Sequence, residues 1–177
     1  LSNVTLTNEA NLKENPYFKE LFKNDYPIIV LPFQVGERFK VAKEWPARKS
    51  KCAATGSFHN LHEERPRSRY TDFIEFFNMD SYHPMRKFIY MNREKLTDVI
   101  ECRISPYREK KRNLFVRLIA RFFDSAQKQY FSFNIVDFYN DHMSALIGEE
   151  VHGLPAIGAF EAMACGCVLV AQSEYYK

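Results

Sequence analysis

The sequence has few cysteines, a small net charge and no long apolar run, and each shortage excludes a class of protein. Its four cysteines lack C-x-x-C spacing and fall in apolar stretches, which favours reduced core thiols over a disulfide framework or a zinc site. No segment reaches the roughly 18 apolar residues of a membrane-spanning helix, and the first residues lack the layout of a signal peptide. The net charge of +3 is too small for a protein that coats nucleic acid. We therefore expect a cytoplasmic protein without a nucleic-acid partner.

What the chain does have is the composition of a folded domain. Of its 177 residues, 46% are hydrophobic and 15% are aromatic, and a chain of this size can bury on the order of 70% of its surface. Charge is distributed unevenly, with seven bases against one acid over residues 103–121 and seven acids against two bases over residues 122–177. The folded molecule should therefore carry separate basic and acidic faces.

Hydrophobic periodicity and turn residues predict the order of the secondary structure. The first half should contain a helix over 11–24, an apolar strand over 28–31, a buried strand over 52–55 that stops in a glycine turn at Gly56 and Ser57, and a strand over 99–104. The second half should contain an amphipathic helix over 108–124, a strand over 130–135, a helical turn over 136–139, a strand over 143–147, a helix over 157–165 and a strand over 167–171. Residues 87–96 fit either state. The strand over 143–147, the helix that follows it and the strand over 167–171 predict that these two strands pair in parallel.

The loop over 148–155 has the features of an anion site. It contains glycine, follows a predicted parallel strand and precedes a predicted helix, whose N–H groups and dipole favour a diphosphate. Glu161 falls in the early turns of that helix, where a carboxylate could accept hydrogen bonds from ribose hydroxyls. On spacing alone, Glu161 could equally be an ordinary early-turn acid and the glycines ordinary turn residues.

The same region resembles a known family. Gly153-Leu154-Pro155 and the run Phe-Glu-Ala-Met-Ala-Cys-Gly-Cys-Val-Leu-Val over 160–170 resemble the donor-binding signature of retaining GT-B glycosyltransferases of group 1, also called family 4-like. Residues 136–139 match the family's V-x-x-Y turn, and residues 52–59 are similar to the strand and glycine turn that open its C-terminal domain. The strong similarity covers about residues 136–171, and the first fifty residues resemble nothing we can name.

This resemblance implies a Rossmann-like α/β domain, a parallel sheet flanked by helices, that binds a UDP- or GDP-linked sugar without a metal or other cofactor. It implies the following site. Glu161 would hold the ribose, the amides of Gly153, Leu154, Pro155 and the loop up to Gly158 would meet the diphosphate or donor sugar, and Gly56 and Ser57 would lie by the phosphates. A basic side chain would offset the charge of the diphosphate. Arg67 is the residue we assign to this role, and Arg65 and Arg69 fit it equally well by sequence.

Two departures from the family pattern bear on function. The family has two glutamates with seven residues between them, but Gly153 occupies the first position here, and Glu149 and Glu150 lie three or four residues earlier. A longer loop would still bring one of them to the donor sugar, and Glu150 is assigned the catalytic role with Glu149 as the alternative. Cys167 also replaces a frequent proline, which should affect packing only.

The second departure concerns completeness. The family places its acceptor on an N-terminal domain of comparable size, whereas only about fifty residues precede the matching region here. We therefore expect residues 1–50 to be an N-terminal segment or linker and residues 51–177 to be the nucleotide-sugar-binding part of a hexosyltransferase, inactive in isolation.

The implied acceptor is a glycan or a lipid-linked molecule, in polysaccharide biosynthesis. The basic stretch of residues 108–121, from Arg108 to Arg121, could then lie on the inner face of a membrane, or it could pack on the sheet with its bases in solvent. A non-catalytic nucleotide-binding or interaction module on the same α/β fold is the alternative function, since fold alone does not fix function and Gly153 replaces a family glutamate.

Overall fold

The structure, a computed structural model, describes residues 5–7, 19, 27–31, 33–59, 74–107, 132–148 and 156–171. Its strands are β1 (Thr5–Thr7), β2 (Ile28–Val30), β3 (Lys49–Phe58), β4 (Ile100–Pro106), β5 (His142–Leu146) and β6 (Val168–Val170). Its helices are α1 (Pro84–Met91), α2 (Ile135–Asn140) and α3 (Ile157–Ala164), and a 3₁₀ turn spans Trp45–Ala47.

Four of the strands form a parallel sheet in the order β4-β3-β5-β6. Cys52 of β3 pairs with Ile100 of β4, and Ala53 pairs with Ala145 of β5, so β3 is a central strand. The short strands β1 and β2 pair with each other, also in parallel. The parallel sheet with helices against it confirms the predicted α/β, Rossmann-like fold class.

The sheet has a hydrophobic cluster on each face. Because side chains alternate along a strand, Ala53 belongs to the cluster that contains residues of α2 and α3, and Ala54 belongs to the cluster that contains Ile89 of α1. Both alanines are fully buried. Small residues at the centre of β3 therefore allow helices to pack closely on both sides, which produces three layers.

Most of the predicted elements that lie in the described residues are confirmed. The predicted strands near residues 28, 52, 99, 143 and 167, the turn over 136–139 and the helix from 157 are all present, within three residues at their ends. None of the helices in the described ranges is long and apolar enough to cross a bilayer. The predicted helices over 11–24 and 108–124, and with them Arg108 to Arg121, lie outside the described residues except at Lys19, which is helical.

Two of the local predictions are wrong. The strand β3 does not stop at Gly56 in a turn, because Gly56, Ser57 and Phe58 continue the pairing with β4. Residues 132–135 are not a strand, because Asn134 caps the start of α2 and Ile135 is its first residue. The Asn134 side-chain oxygen accepts a hydrogen bond from the Val136 amide at 3.0 Å. The boundary expected at residue 51 stays a prediction.

Residues 33–48, here called the strap, run from β2 towards β3 and are anchored to the helices. Phe39 is buried in the cluster with α2 and α3. The side chain of Asn140, at the end of α2, accepts a hydrogen bond from the Ala42 amide at 2.7 Å and donates one to the Lys40 carbonyl at 3.0 Å. Arg48 is buried and donates to the Cys165 carbonyl, just after α3, at 2.9 Å. The strap therefore packs as part of the α/β unit.

Candidate functional site

The strand order defines where this sheet should bind a ligand. From β3 the chain forms β4 on one side and then crosses to form β5 on the other side, so the connections diverge between β3 and β5. In open parallel α/β sheets, ligands bind at the carboxyl ends of the strands at such a switch point. The candidate site is therefore the carboxyl-end crevice between β3 and β5.

Two glycines follow the last paired residues of β3 and β5 at this switch point. The last register pair of β3 and β5 is Ala54 with Leu146, and Gly56 and Gly148 each follow that pair by two residues. Gly56 has a φ of +122°, a conformation that side chains other than glycine rarely adopt. Neither chain segment therefore contributes a side chain at these two positions, and residues of α1 pack against both.

Arg86 occupies the space that the glycines leave. A β-carbon built on Gly56 would lie 3.0 Å from Arg86 Nε, and one built on Gly148 would lie 3.3 Å from Arg86 Cγ. Arg86 Nη1 donates a hydrogen bond to the Ser57 carbonyl at 3.0 Å. The arginine side chain thus packs against both glycines, near the carboxyl ends of β3 and β5.

The position of Arg86 follows from the start of α1. Pro84 is the first residue of this helix, where its fixed φ is favourable and its missing N–H costs nothing. Ile89 packs α1 against the sheet beside Ala54 and Ile104. Arg86 therefore lies in the first turn of a helix that is held on the face of β3.

The helix α3 begins beside the end of β5. A β-carbon on Gly158 would make ordinary contacts, 3.4 Å from Tyr139 Oη and 3.9 Å from Ile147 Cδ1, so the first turn of α3 packs beside the residue that precedes Gly148. The predicted anion-binding start of the helix does lie at the carboxyl edge of the sheet.

Glu161 lies one turn further along α3 and is partly buried. Burial raises the pKa of its carboxyl above the ordinary value of 4.5, and the positive charge of Arg38 in the strap opposes that rise. A partly buried carboxylate with a nearby cation can accept hydrogen bonds from sugar hydroxyls without being fully screened by water.

A cluster of aromatic and imidazole rings packs beyond the end of β3. The His59 ring stacks on Tyr107 with centroids 4.1 Å apart, and His83, at the start of α1, lies 5.8 Å from His59. Ser81 Oγ donates to the His59 carbonyl at 2.7 Å. Within the described ranges, no three His, Cys, Asp or Glu side chains are grouped so that they could hold a metal ion. The cluster lies at the carboxyl end of β3, and its member His83 immediately precedes the first residue of α1.

The structure thus brings some of the predicted site residues to one edge of the sheet. Gly56, Ser57 and Gly158 lie at the carboxyl edge, and Glu161 lies one helical turn away from Gly158. The other predicted site residues lie outside the described residues: Glu150, Gly153, Leu154, Pro155 and Arg67, together with the alternatives Glu149, Arg65 and Arg69.

Arg86 and Gly148 were not predicted as site residues. The sequence does hold a signal for Arg86, because His83-Pro84 is a helix start that places residue 86 in the first turn. Gly148 is the first residue after the apolar strand that was predicted over 143–147, and only the structure shows that it lies against the same arginine as Gly56.

No protein-family model, curated protein or solved structure matches this chain. The likeness to the glycosyltransferases therefore rests on the sequence motifs, and the fold rests on the structure.

Proposed function

We propose that residues 51–177 bind a nucleotide-sugar and act as the donor-binding domain of a retaining glycosyltransferase that delivers the sugar to a glycan or lipid-linked acceptor. The observation that carries the proposal is the position of Arg86, which packs against two glycines near the carboxyl ends of β3 and β5. An arginine is the side chain best suited to a diphosphate, because its planar guanidinium is always charged and can bind two phosphate oxygens at once.

The surroundings of Arg86 suit an anion. A guanidinium has five N–H donors, so it can keep its hydrogen bond to the Ser57 carbonyl while it binds a phosphate. The glycines at 56 and 148 let a ligand come close to the backbone. During transfer, Arg86 would stabilise the charge that develops on the departing diphosphate.

Glu161 supplies the second recognition element. Its carboxylate would accept hydrogen bonds from the ribose hydroxyls, which would orient the nucleotide along α3 while the diphosphate lies at the switch point. The donor sugar would be bound by Glu150 and by the loop of Gly153, Leu154 and Pro155. These roles are proposed from the family resemblance.

The test is a calorimetric titration of the chain with UDP, GDP and ADP, and with UDP- and GDP-linked sugars, with and without magnesium. We expect one nucleoside diphosphate to bind saturably in the absence of a metal. A folded chain that binds none of them, as judged by an unchanged melting temperature as well as by calorimetry, overturns the proposal.

Three variants locate the site. Glu161→Gln should weaken binding by about 10- to 100-fold, the loss expected for hydrogen bonds to a charged acceptor. Arg86→Gln should weaken binding of the diphosphate by a similar factor but should affect a nucleoside without phosphates far less. Arg93→Gln is the matched control, because Arg93 is an exposed arginine near the end of α1 that contacts Tyr90. If Glu161→Gln and Arg86→Gln bind the nucleotide as tightly as the Arg93→Gln control, neither Glu161 nor Arg86 belongs to the site.

The alternative function is that of a non-catalytic nucleotide-binding module. An assay of sugar transfer distinguishes it from a glycosyltransferase. The chain would be assayed for hydrolysis or transfer of the sugar from the nucleotide-sugar that it binds, with glycan and lipid-linked acceptors and within the longest version of the protein that can be expressed. Binding without turnover in the longest version supports the module.

A further inference from the structure

We propose that the exposed face of the Tyr107 ring is a platform for the donor sugar, on which the apolar face of a hexose stacks. This inference deepens the proposed function and rests on it for the identity of the ligand. Tyr107 follows β4 directly, and it belongs to none of the motifs that predicted the site.

Tyr107 lies at the same edge of the sheet as Arg86. Its amide donates a hydrogen bond to the Phe58 carbonyl at 2.8 Å, and the preceding carbonyl, of Ser57, accepts one from Arg86 Nη1 at 3.0 Å. Two consecutive carbonyls of β3 thus bind the arginine and the backbone of the tyrosine. Adjacent strands lie about 4.8 Å apart, so Tyr107 follows the end of β4 close beside the end of β3, on the side away from β5.

One face of the Tyr107 ring is covered and the other is open. The His59 ring stacks on it, with centroids 4.1 Å apart and planes tilted by 28°. Tyr107 is nevertheless 46% exposed, whereas His59 is 8% exposed. Because a stacked ring covers one face only, the exposed part of the Tyr107 ring is its opposite face and its edge. The tyrosine therefore presents a flat aromatic surface at the carboxyl edge of the sheet.

Buried rings and hydrogen bonds hold His59 behind the tyrosine. Tyr82 and His83 are both buried, and their ring centroids lie 6.3 and 5.8 Å from that of His59. The His59 carbonyl accepts hydrogen bonds from Ser81 Oγ at 2.7 Å and from the Tyr82 amide at 3.0 Å. The platform is therefore preorganised, so little side-chain entropy is lost when a ligand packs on it.

The order of the groups in a nucleotide-sugar identifies the group that reaches Tyr107. The proposed site places the ribose at Glu161 on α3, which connects β5 to β6, and the diphosphate at Arg86, near the ends of β3 and β5. The end of β4 lies beyond β3 in the same direction. A ligand that extends from Glu161 past Arg86 brings to Tyr107 the group that follows the diphosphate, which is the sugar.

A hexose suits this surface. One face of a pyranose carries C–H groups that are apolar and weakly positive, and the face of an aromatic ring is negative. Stacking buries both faces and leaves the hydroxyls at the rim of the sugar free for polar contacts, such as the one proposed for Glu150. The platform therefore contributes affinity for the sugar and none for the nucleoside diphosphate alone.

The first experiment compares, by calorimetry, the nucleoside diphosphate identified above with its sugar conjugate. The proteins are the wild type, Tyr107→Leu, Tyr107→Phe and Trp45→Leu. We expect Tyr107→Leu to bind the sugar conjugate about three- to tenfold more weakly than the wild type, the range of one aromatic contact, and to bind the nucleoside diphosphate equally well. Tyr107→Phe keeps the ring and should bind both ligands as the wild type does.

Trp45→Leu is the matched control. Trp45 is 45% exposed, but it precedes β3 and so lies at the opposite edge of the sheet. Its replacement should change neither affinity. Equal weakening of both ligands in Tyr107→Leu would place the base instead of the sugar on the ring and would overturn the inference, as would an unchanged affinity for the sugar conjugate.

The second experiment needs no nucleotide. Saturation-transfer NMR with the methyl glycosides of glucose, galactose and mannose measures which sugar protons contact the protein. The C–H protons of one ring face should receive the strongest transfer with the wild type, Tyr107→Phe and Trp45→Leu, and should lose it with Tyr107→Leu. Tyr107→Leu should melt close to the wild type, because the hydrogen bond of Tyr107 to Phe58 is made by its backbone. Transfer that does not depend on residue 107 contradicts the platform.

The two proposals can fail separately. If the wild type binds no nucleotide but a hexoside contacts Tyr107, the proposed function fails and the platform stands as a sugar-binding site. If the nucleotide binds and Tyr107→Leu changes neither the affinity for the sugar conjugate nor the transfer to hexosides, the donor-binding function stands and the platform is refuted. If neither nucleotides nor hexosides bind, both proposals fail.

Discussion

At the scale of single residues, His142 at the start of β5 is held on both sides of its ring. It is fully buried, with Nδ1 2.7 Å from the Phe138 carbonyl and Nε2 3.2 Å from Glu101 Oε2. A carbonyl can only accept, so Nδ1 must carry a proton and donate. Lys49 Nζ lies 2.7 Å from the same Glu101 oxygen. Glu101 therefore joins β3, β4 and β5 at the amino edge of the sheet, opposite the candidate site.

Replacement of Glu101 should make stability less dependent on pH. Burial of this carboxyl favours its neutral form, but the hydrogen bonds and charges of Lys49 and His142 outweigh burial and lower its pKa below 4.5. Ionised Glu101 therefore stabilises the fold fully above about pH 5. That contribution is lost as the pH falls through the lowered pKa. Glu101→Gln should cost about 1–2 kcal/mol at pH 7 and progressively less below pH 4.

Urea unfolding of the wild type and Glu101→Gln at pH 7 and at several values down to pH 3 measures this difference. Glu94→Gln is the control, because Glu94 is an exposed acid between α1 and β4. A cost of Glu101→Gln that stays constant with pH contradicts the assignment.

At the scale of the elements, the end of β3 depends on Gly56. Gly56→Ala should destabilise the protein by about 1–3 kcal/mol, because alanine is strained at a φ of +122° and its β-carbon would meet Arg86. Gly36→Ala is the matched control, since its β-carbon would make an ordinary 3.9 Å contact with Phe39. Thermal unfolding compares the two variants, and equal melting temperatures would show that the conformation at Gly56 is not needed.

The elements that the sequence predicted best are those whose apolar residues are continuous and bounded by turn residues. The strands near Cys52 and Ala145 are buried on both faces, and Gly166 marks the end of α3. The helix α1 was left undecided, since residues 87–96 fitted either state. Met85, Phe88 and Met91 are apolar but exposed, so the apolar residues alone do not indicate which side of this short helix is buried.

The part of the candidate site that could be predicted from the sequence is the part whose residues are close together along the chain. Glu161 and Gly158 belong to the strand-loop-helix unit that the spacing predicted. Arg86 meets Gly56 across thirty residues of sequence and meets Gly148 across sixty-two, so only the sheet register brings the three together. The error at Gly56 has the same origin, because pairing with Ile104 extends β3 through a residue that in isolation favours a turn.

At the scale of the whole molecule, the strand order predicts a gradient of local stability. The central strands β3 and β5 contain the fully buried Ala53, Ala54 and Ala145, whereas β6 lies at an end of the four-stranded order with Val168 and Val170 exposed. Hydrogen exchange followed by mass spectrometry should show at least about tenfold slower exchange in β3 and β5 than in β6. Equal protection would show that something covers the open side of β6.

Parallel pairing also sets a timetable for synthesis. The partners of β3 follow it late, since Ile100 lies 48 residues after Cys52 and Ala145 lies 92 residues after Ala53. At roughly 5–20 residues per second, the nascent chain holds β3 for about 5–18 s before β5 exists. During that interval an apolar strand with unpaired backbone groups is exposed to other chains, and Lys49 and Lys51 at its start give it charges that discourage association. The central strand β3 is thus the strand of this sheet whose last pairing partner is synthesised longest after it.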